Sequence, residues 1–225
     1  MTPAQKARSW ALDYRYAVVH QVEAVLDRTD PARYRIGGTR RPVVVLPGIW
    51  ETWHFLKPMI EHLHDAGHPV HVLAELGWNG GSVDAAAELA VHHLRDHDLT
   101  DVMLVAHSKG GLIGKATMLD AVEGRRVDAM AAISTPFSGS VYARYAPIRS
   151  IRAFSPRDPT TLRLAANRAV NARITSIYGE FDPHIPGGSE LPGATNVRVP
   201  VGGHFRILAD DRTLSALDEA LTRAA

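Results

Sequence analysis

Short runs rich in Val, Ile and Leu alternate with stretches whose apolar residues recur at helical spacing, and this alternation predicts the elements. Strands are expected over residues 42–46, 69–73, 101–106, 127–133, 173–178 and 196–201. Helices are expected over residues 55–66, with Pro58 in the first turn, and over 82–95, 110–122 and 210–224. Leu56, Met59, Ile60 and Leu63 give the first of these its apolar face. An earlier helix is expected from Ala4 to Asp27, where Trp10, Tyr14, Ala17, Val18, Val22 and Val25 share helical spacing and Thr29-Asp30-Pro31 ends the pattern. That helix is expected to pack across the sheet or to cover the site, with core packing the plainer role. Strand and helix in alternation predict an α/β domain: about six strands, mostly parallel, with helices on both faces.

At 225 residues the chain is expected to be one domain, with residues 1–40 as an N-terminal helical extension. Periodicity is weakest over residues 137–169, which carry Pro147, Pro156, Pro159 and six arginines around a short helix at 160–166. This segment is expected to be a short cap or pocket wall, too small for a mobile lid. A net charge of +1 with no long basic run argues against nucleic acid as a partner. The absence of cysteine excludes disulfides and thiolate metal sites. No apolar run approaches the ~20 residues that span a bilayer, so no stable membrane insertion is expected. Residues 1–8 lack a signal-peptide core, so a cytoplasmic protein is expected. Nothing in the pattern sets an oligomeric state.

The most informative stretch is Ala106-His107-Ser108-Lys109-Gly110-Gly111, directly behind the apolar run Val102-Met103-Leu104-Val105. It reads as a strand turning sharply into a helix with a serine at the corner, the form of a nucleophile elbow with Ala106 in the first glycine position. Taken alone it also fits an ordinary turn rich in small residues. Two later loops favour the elbow. Asp182 follows the strand that ends near Tyr178, and His204 follows the strand 196–201 through Gly202-Gly203. Ser108, Asp182 and His204 thus each fall just past the C-terminal end of a strand, where open α/β sheets build their sites, and in the order serine, acid, histidine. Upstream, Pro47-Gly48-Ile49 turns away from the first core strand. The backbone N–H groups of Ile49 and Lys109 are the expected donors to an oxyanion.

With these segments the chain resembles α/β-hydrolases of the small lipase and esterase group, from about Arg41 onward. The resemblance rests on Val43-Val44-Val45-Leu46-Pro47-Gly48, the elbow, Ser134-Thr135-Pro136-Phe137-Ser138-Gly139-Ser140, Gly179-Glu180-Phe181-Asp182 and Gly202-Gly203-His204. The alanine variant of the elbow and the Thr-Pro-x-x-Gly segment are similar to bacterial triacylglycerol lipases. The resemblance implies a minimal α/β-hydrolase fold and acyl-ester hydrolysis of a small-molecule substrate through Ser108, His204 and Asp182, without a cofactor. Pro47 stands where many members have histidine. Lys109 stands where many have methionine or leucine, which predicts a more polar mouth. Trp50, Trp53, Phe137 and Phe205 flank the loops and are expected in the acyl pocket.

Twelve histidines raise the question of metal. His93 and His97 share a helical face at i, i+4, and His62, His64 and His92 lie near others. No glutamate follows as in His-Glu-x-x-His, so no metal site is expected. His107 is expected to pack beside the elbow, and His184, too close to Asp182 for a further strand to intervene, is the weaker rival to His204. Gly114-Lys115-Ala116 fails the phosphate-loop pattern, because Lys109 occupies the first glycine position and alanine follows the lysine. The same three residues would also serve an acyltransferase or a thioesterase, or be retained in a non-catalytic binding protein. Peroxide chemistry is a further variant of the fold, whereas haloalkane chemistry would call for an aspartate nucleophile.

Overall fold

The structure, a computed structural model, describes residues 1–223; Ala224, expected in the last helix, lies outside them. Six strands, β1 (Val43–Leu46), β2 (Val70–Val72), β3 (Val102–His107), β4 (Val127–Ile133), β5 (Ile174–Phe181) and β6 (Thr195–Gly202), form one sheet. Every pairing is parallel and the order is β2-β1-β3-β4-β5-β6. Parallel strands are covered on both faces, which is why β1 is apolar throughout and β3 is apolar up to His107. All four residues of β1 are fully buried. Their side chains alternate: Val44 and Leu46 join one core cluster, Val43 and Val45 the other. Leu104 and Ala106 of β3 continue the first cluster, and Met103 and Val105 the second.

Among the described residues there are seven helices: α1 (Pro3–Leu26), α2 (Lys57–Asp65), α3 (Val83–Asp96), α4 (Lys109–Met118), α5 (Arg149–Arg152), α6 (Pro159–Ala166) and α7 (Asp211–Arg223). Helices α3, α4 and α6 bury their apolar residues in the first cluster, α2 and α7 in the second. None of the described helices is long and apolar enough to cross a membrane. The helix expected over 110–122 stops at Met118, because the Asp120 carboxylate accepts the N–H groups of Val122 and Glu123 and turns the chain. The strand expected over 173–178 runs on to Phe181.

Helix α1 departs most from expectation. A capping box between Thr2 and Gln5, with Pro3 behind it, starts it one residue before the expected Ala4. Its apolar face is not the buried one. Val18 is 61% exposed and Val22 54%, while Ser9, Asp13 and Ala24 are the buried residues. Tyr16 and Ala17 pack against the second cluster. The helix therefore docks largely through small and polar groups, and the reason lies in what Asp13 holds.

Strand order reverses between β1 and β3: the chain runs outward from β1 to β2, then returns to add β3 on the other side. The crevice at such a switch point is where this class of sheet binds ligands. Here α4 leaves β3 across the end of β1. A Cβ on Gly110 would overlap the Leu46 carbonyl oxygen and stand 2.7 Å from its carbon. Gly110→Ala is therefore expected to destabilise the fold by about 1–3 kcal/mol. Gly81→Ala, which has open space around its Cβ, should stay within about 0.5 kcal/mol of the parent. Urea denaturation of both variants checks this, and equal midpoints would remove the close-approach argument.

Candidate active site

Ser108 sits between β3 and α4 with φ of 51° and ψ of −118°. A serine pays steric strain to hold a positive φ, and such strain is found where a site needs a side chain aimed. Its N–H is anchored on the Ile133 carbonyl at 2.9 Å. His204 lies over it: Nε2 is 3.0 Å from Ser108 Oγ. Nδ1 of the same ring is 2.7 Å from Asp182 Oδ2. The other carboxylate oxygen of Asp182 accepts the N–H groups of His184 and Ile185 at 2.8 and 3.0 Å. The carboxylate is therefore fixed before it meets the ring. The structure brings together the three residues that the sequence singled out.

Burial pulls the His204 imidazole toward the neutral form, but the charge and hydrogen bond of Asp182 more than reverse this, and its pKa is raised. Burial likewise opposes the Asp182 charge, and the charge and hydrogen bond of His204 outweigh it, holding that carboxyl below its ordinary value. With Nδ1–H given to Asp182, the Nε2 lone pair faces the serine hydroxyl. The arrangement can take a proton from Ser108 and hold it as imidazolium beside a carboxylate. His184 lies beside this chain, with ring centroids 4.8 Å apart, and is bonded to the Tyr14 hydroxyl at 3.3 Å rather than to Ser108. Burial pushes it down to about 4.

The loop after β1 is held from beneath. Asn79 Nδ2 donates to the carbonyls of Pro47 and Gly48 at 2.8 and 3.2 Å. Lys109 Nζ in turn donates to the Asn79 backbone and side-chain oxygens and to the Gly81 carbonyl, at 2.7, 2.9 and 2.8 Å. The Lys109 ammonium is thus buried beneath the loop with all three protons placed, instead of making the mouth polar as expected. Burial lowers its pKa to about 8. Its backbone N–H opens α4, where first-turn donors have no partner within the helix. Ile49 lines the cavity above Ser108.

Two further ties were invisible in the sequence. Glu51 Oε2 accepts the Gly48 N–H at 2.7 Å and also meets His107 Nδ1 at 2.9 Å. His107 Nε2 reaches the His204 carbonyl at 3.0 Å. That carbonyl can only accept, so Nε2 carries a proton. His107 does sit beside the elbow, and it also bridges the β1 loop to the His204 loop. The second tie is Asp13 of α1. Its carboxylate accepts the N–H groups of His204, Phe205 and Arg206 at 2.8, 2.8 and 2.9 Å.

A cavity of about 450 Å³ opens above Ser108 and His204. Trp50 and Phe205 line it, as expected, joined by Trp10 and Tyr14 from α1 and by Ile151 and Phe154 from the segment 137–169. That segment is a pocket wall. Trp53 and Phe137 do not line the cavity. Trp53 stacks on His54 and meets Tyr34 edge-on, with centroids 3.7 and 6.1 Å apart. Phe137 is buried in the first core cluster. Both point inward because the turns that carry them close onto the core. A second, wider groove of about 810 Å³, lined by Lys6, Glu190 and Arg198 among others, lies beyond Asp182 and does not reach Ser108.

Solved structures with this architecture are many. The Bacillus licheniformis lipase BlEst2 in mature form matches with a TM-score of 0.63 at 16% identity, over 87% of this chain and 94% of that one. The chain has the α/β-hydrolase fold. Aspergillus fumigatus lipase B gives a TM-score of 0.68 at 17% identity, over 84% of this chain and 53% of that one. A putative non-heme bromoperoxidase, BpoC, from Mycobacterium tuberculosis gives 0.64 at 13%, over 84% and 94%. Neither a family model nor a curated protein matches the chain. Lipases, esterases and bromoperoxidases are thus its structural neighbours, at identities where the likeness is one of fold.

Asp13→Ala would leave three N–H groups of the His204 loop without an acceptor, at about 1–3 kcal/mol for each donor left buried. Hydrogen exchange should show the amides of residues 204–206 losing protection while those of β3 keep theirs. Unchanged protection at 204–206 would show that Asp13 does not hold the loop.

Proposed function

We propose that the protein is a serine hydrolase that cleaves carboxylic acyl esters through an acyl-enzyme. The observation that carries this reading is the hydrogen-bonded chain Asp182, His204, Ser108, ending in a strained serine under a mostly apolar cavity. His204 Nε2 takes the Ser108 proton as Oγ attacks the acyl carbon. The carbonyl oxygen becomes an oxyanion facing the N–H groups of Ile49 and Lys109. As the tetrahedral species collapses, the bond to the alcohol oxygen breaks and His204 returns the proton to it. Water then repeats the sequence on the acyl-serine, with His204 again the base. Asp182 holds the ring and its charge throughout. The reading assigns no cofactor.

The cavity supports a short or medium acyl chain. Its volume lies within the ~300–1,000 Å³ of small-molecule sites, and Phe205, Trp50, Tyr14 and Phe154 offer it apolar walls. Soluble p-nitrophenyl esters of such acids are expected to turn over faster than emulsified long-chain triglyceride. Ser108→Ala should abolish hydrolysis of p-nitrophenyl butyrate with unchanged circular dichroism, and a fluorophosphonate should label the parent on Ser108 alone. Undiminished turnover in the folded variant would sink the proposal.

The pH dependence follows from the sign of the His204 shift. The ring must be neutral to accept the serine proton, and its pKa is raised. Activity should therefore be full at alkaline pH and fall as pH drops through a midpoint above the ordinary ~6.5. Asp182→Asn should lower the rate and move that midpoint down. A kcat/KM profile flat between about pH 5 and 8 would contradict a histidine base.

A further inference from the structure

Helix α3 carries His93 and His97 one turn apart, a pair the sequence shows but does not complete. The fold adds a third ring. His71 on the edge strand β2 stands in register with Val44, whose side chain lies on the face covered by α3. One nitrogen from each of His71, His93 and His97 falls within 4.8 Å of the others. We propose that these three histidines form a binding site for one divalent transition-metal ion of the zinc class, separate from the Ser108 site.

The ring geometry supports this. His93 Nε2 and His71 Nδ1 are 3.3 Å apart. Two nitrogens bound to one tetrahedral zinc at ~2.0–2.1 Å are separated by about the same distance. The proton now between those nitrogens moves to the far nitrogen of its own ring when the ion enters, so both lone pairs face the metal. His97 is oriented as ligating histidines are. Its Nδ1 is 3.1 Å from the His93 carbonyl, which can only accept, so Nδ1 carries the proton and Nε2 offers its lone pair. A cation already uses that lone pair: Arg35 Nη1 donates to His97 Nε2 at 3.2 Å. Arg35 and His97 are both exposed, so the guanidinium can swing out and the ring can close on the ion.

Burial above all, with repulsion from the neighbouring histidines, pushes His71 and His93 down to about 4. The Glu75 and Asp96 carboxylates act on His93 in the opposite direction. A water oxygen would complete the coordination. Imidazole donors with one oxygen suit zinc and its neighbours rather than magnesium or calcium. An ion here would join the edge strand to α3.

The chelator-stripped chain is titrated with zinc against a chromophoric chelator, and with cobalt(II) as a spectroscopic probe. One equivalent bound, with the intense visible bands of tetrahedral cobalt, is the expected result. His97→Ala, at an exposed position, should weaken zinc about tenfold or more. Arg35→Ala, which removes the competing cation, should tighten it. Folding of each variant is checked by circular dichroism. Failure of the folded parent to take up zinc at micromolar concentration overturns the proposal. So does equal affinity in His97→Ala, which would assign uptake to surface histidines such as His62 and His92.

Discussion

Helix α4 leaves Ser108 so close to the end of β1 that position 110 has no room for a side chain: its Cβ would fall on the Leu46 carbonyl group. That approach fixes much of the site. It forces the turn at Ser108 to be tight enough for a positive φ. It also brings the loop 47–49, the continuation of β1, alongside the start of α4. The loop that carries Ile49 and the first turn of α4 that carries Lys109, far apart in sequence, thereby lie side by side. The site is a product of backbone contact first and of side chains second.

Side chains then lock the loops together. Three loops converge on Ser108, after β1, β3 and β6, and each is tied to another by a buried polar group. Asn79 and Lys109 support the first from below. Glu51 and His107 connect it to the carbonyl of His204. Asp13 holds the N–H side of the same residue. His204 is thus gripped at both backbone polar groups and at both ring nitrogens. Buried polar networks of this kind are stabilising only when their members are satisfied. Here the ties from His107 and Asp13 bear on the position of one imidazole.

The strands and the three residues Ser108, Asp182 and His204 were legible in the sequence for a common reason. Continuous apolar runs mark parallel strands, and the residues that follow them fall on one sheet edge by topology alone. Side chains whose role depends on what lies across the fold were not legible. Asp13 is an ordinary acidic residue within a helical pattern, and its partners are some 190 positions away. Trp53 and Phe137 flank the right loops, but sequence does not say which way a turn aims its aromatic. The apolar spacing of α1 pointed to a core face, and the structure turns that face largely outward, because the groups it satisfies at the sheet edge are backbone N–H donors rather than apolar surface. Lys109 misled for a related reason: a lysine reads as polar surface unless three carbonyl-type acceptors await it, as they do beneath the β1 loop.

The tie between Asp13 and His204 spans 191 positions, and that between His204 and Ser108 spans 96. The order of synthesis acquires a meaning from these separations. A growing chain completes the turn at Ser108 long before it has made His204. Asp13, made almost first, has nothing to accept until residue 204 arrives. Contacts of such long range form late, because the intervening chain must be ordered before they return any stabilisation. Ser108 therefore stays without its imidazole partner until the sheet has added its last strand.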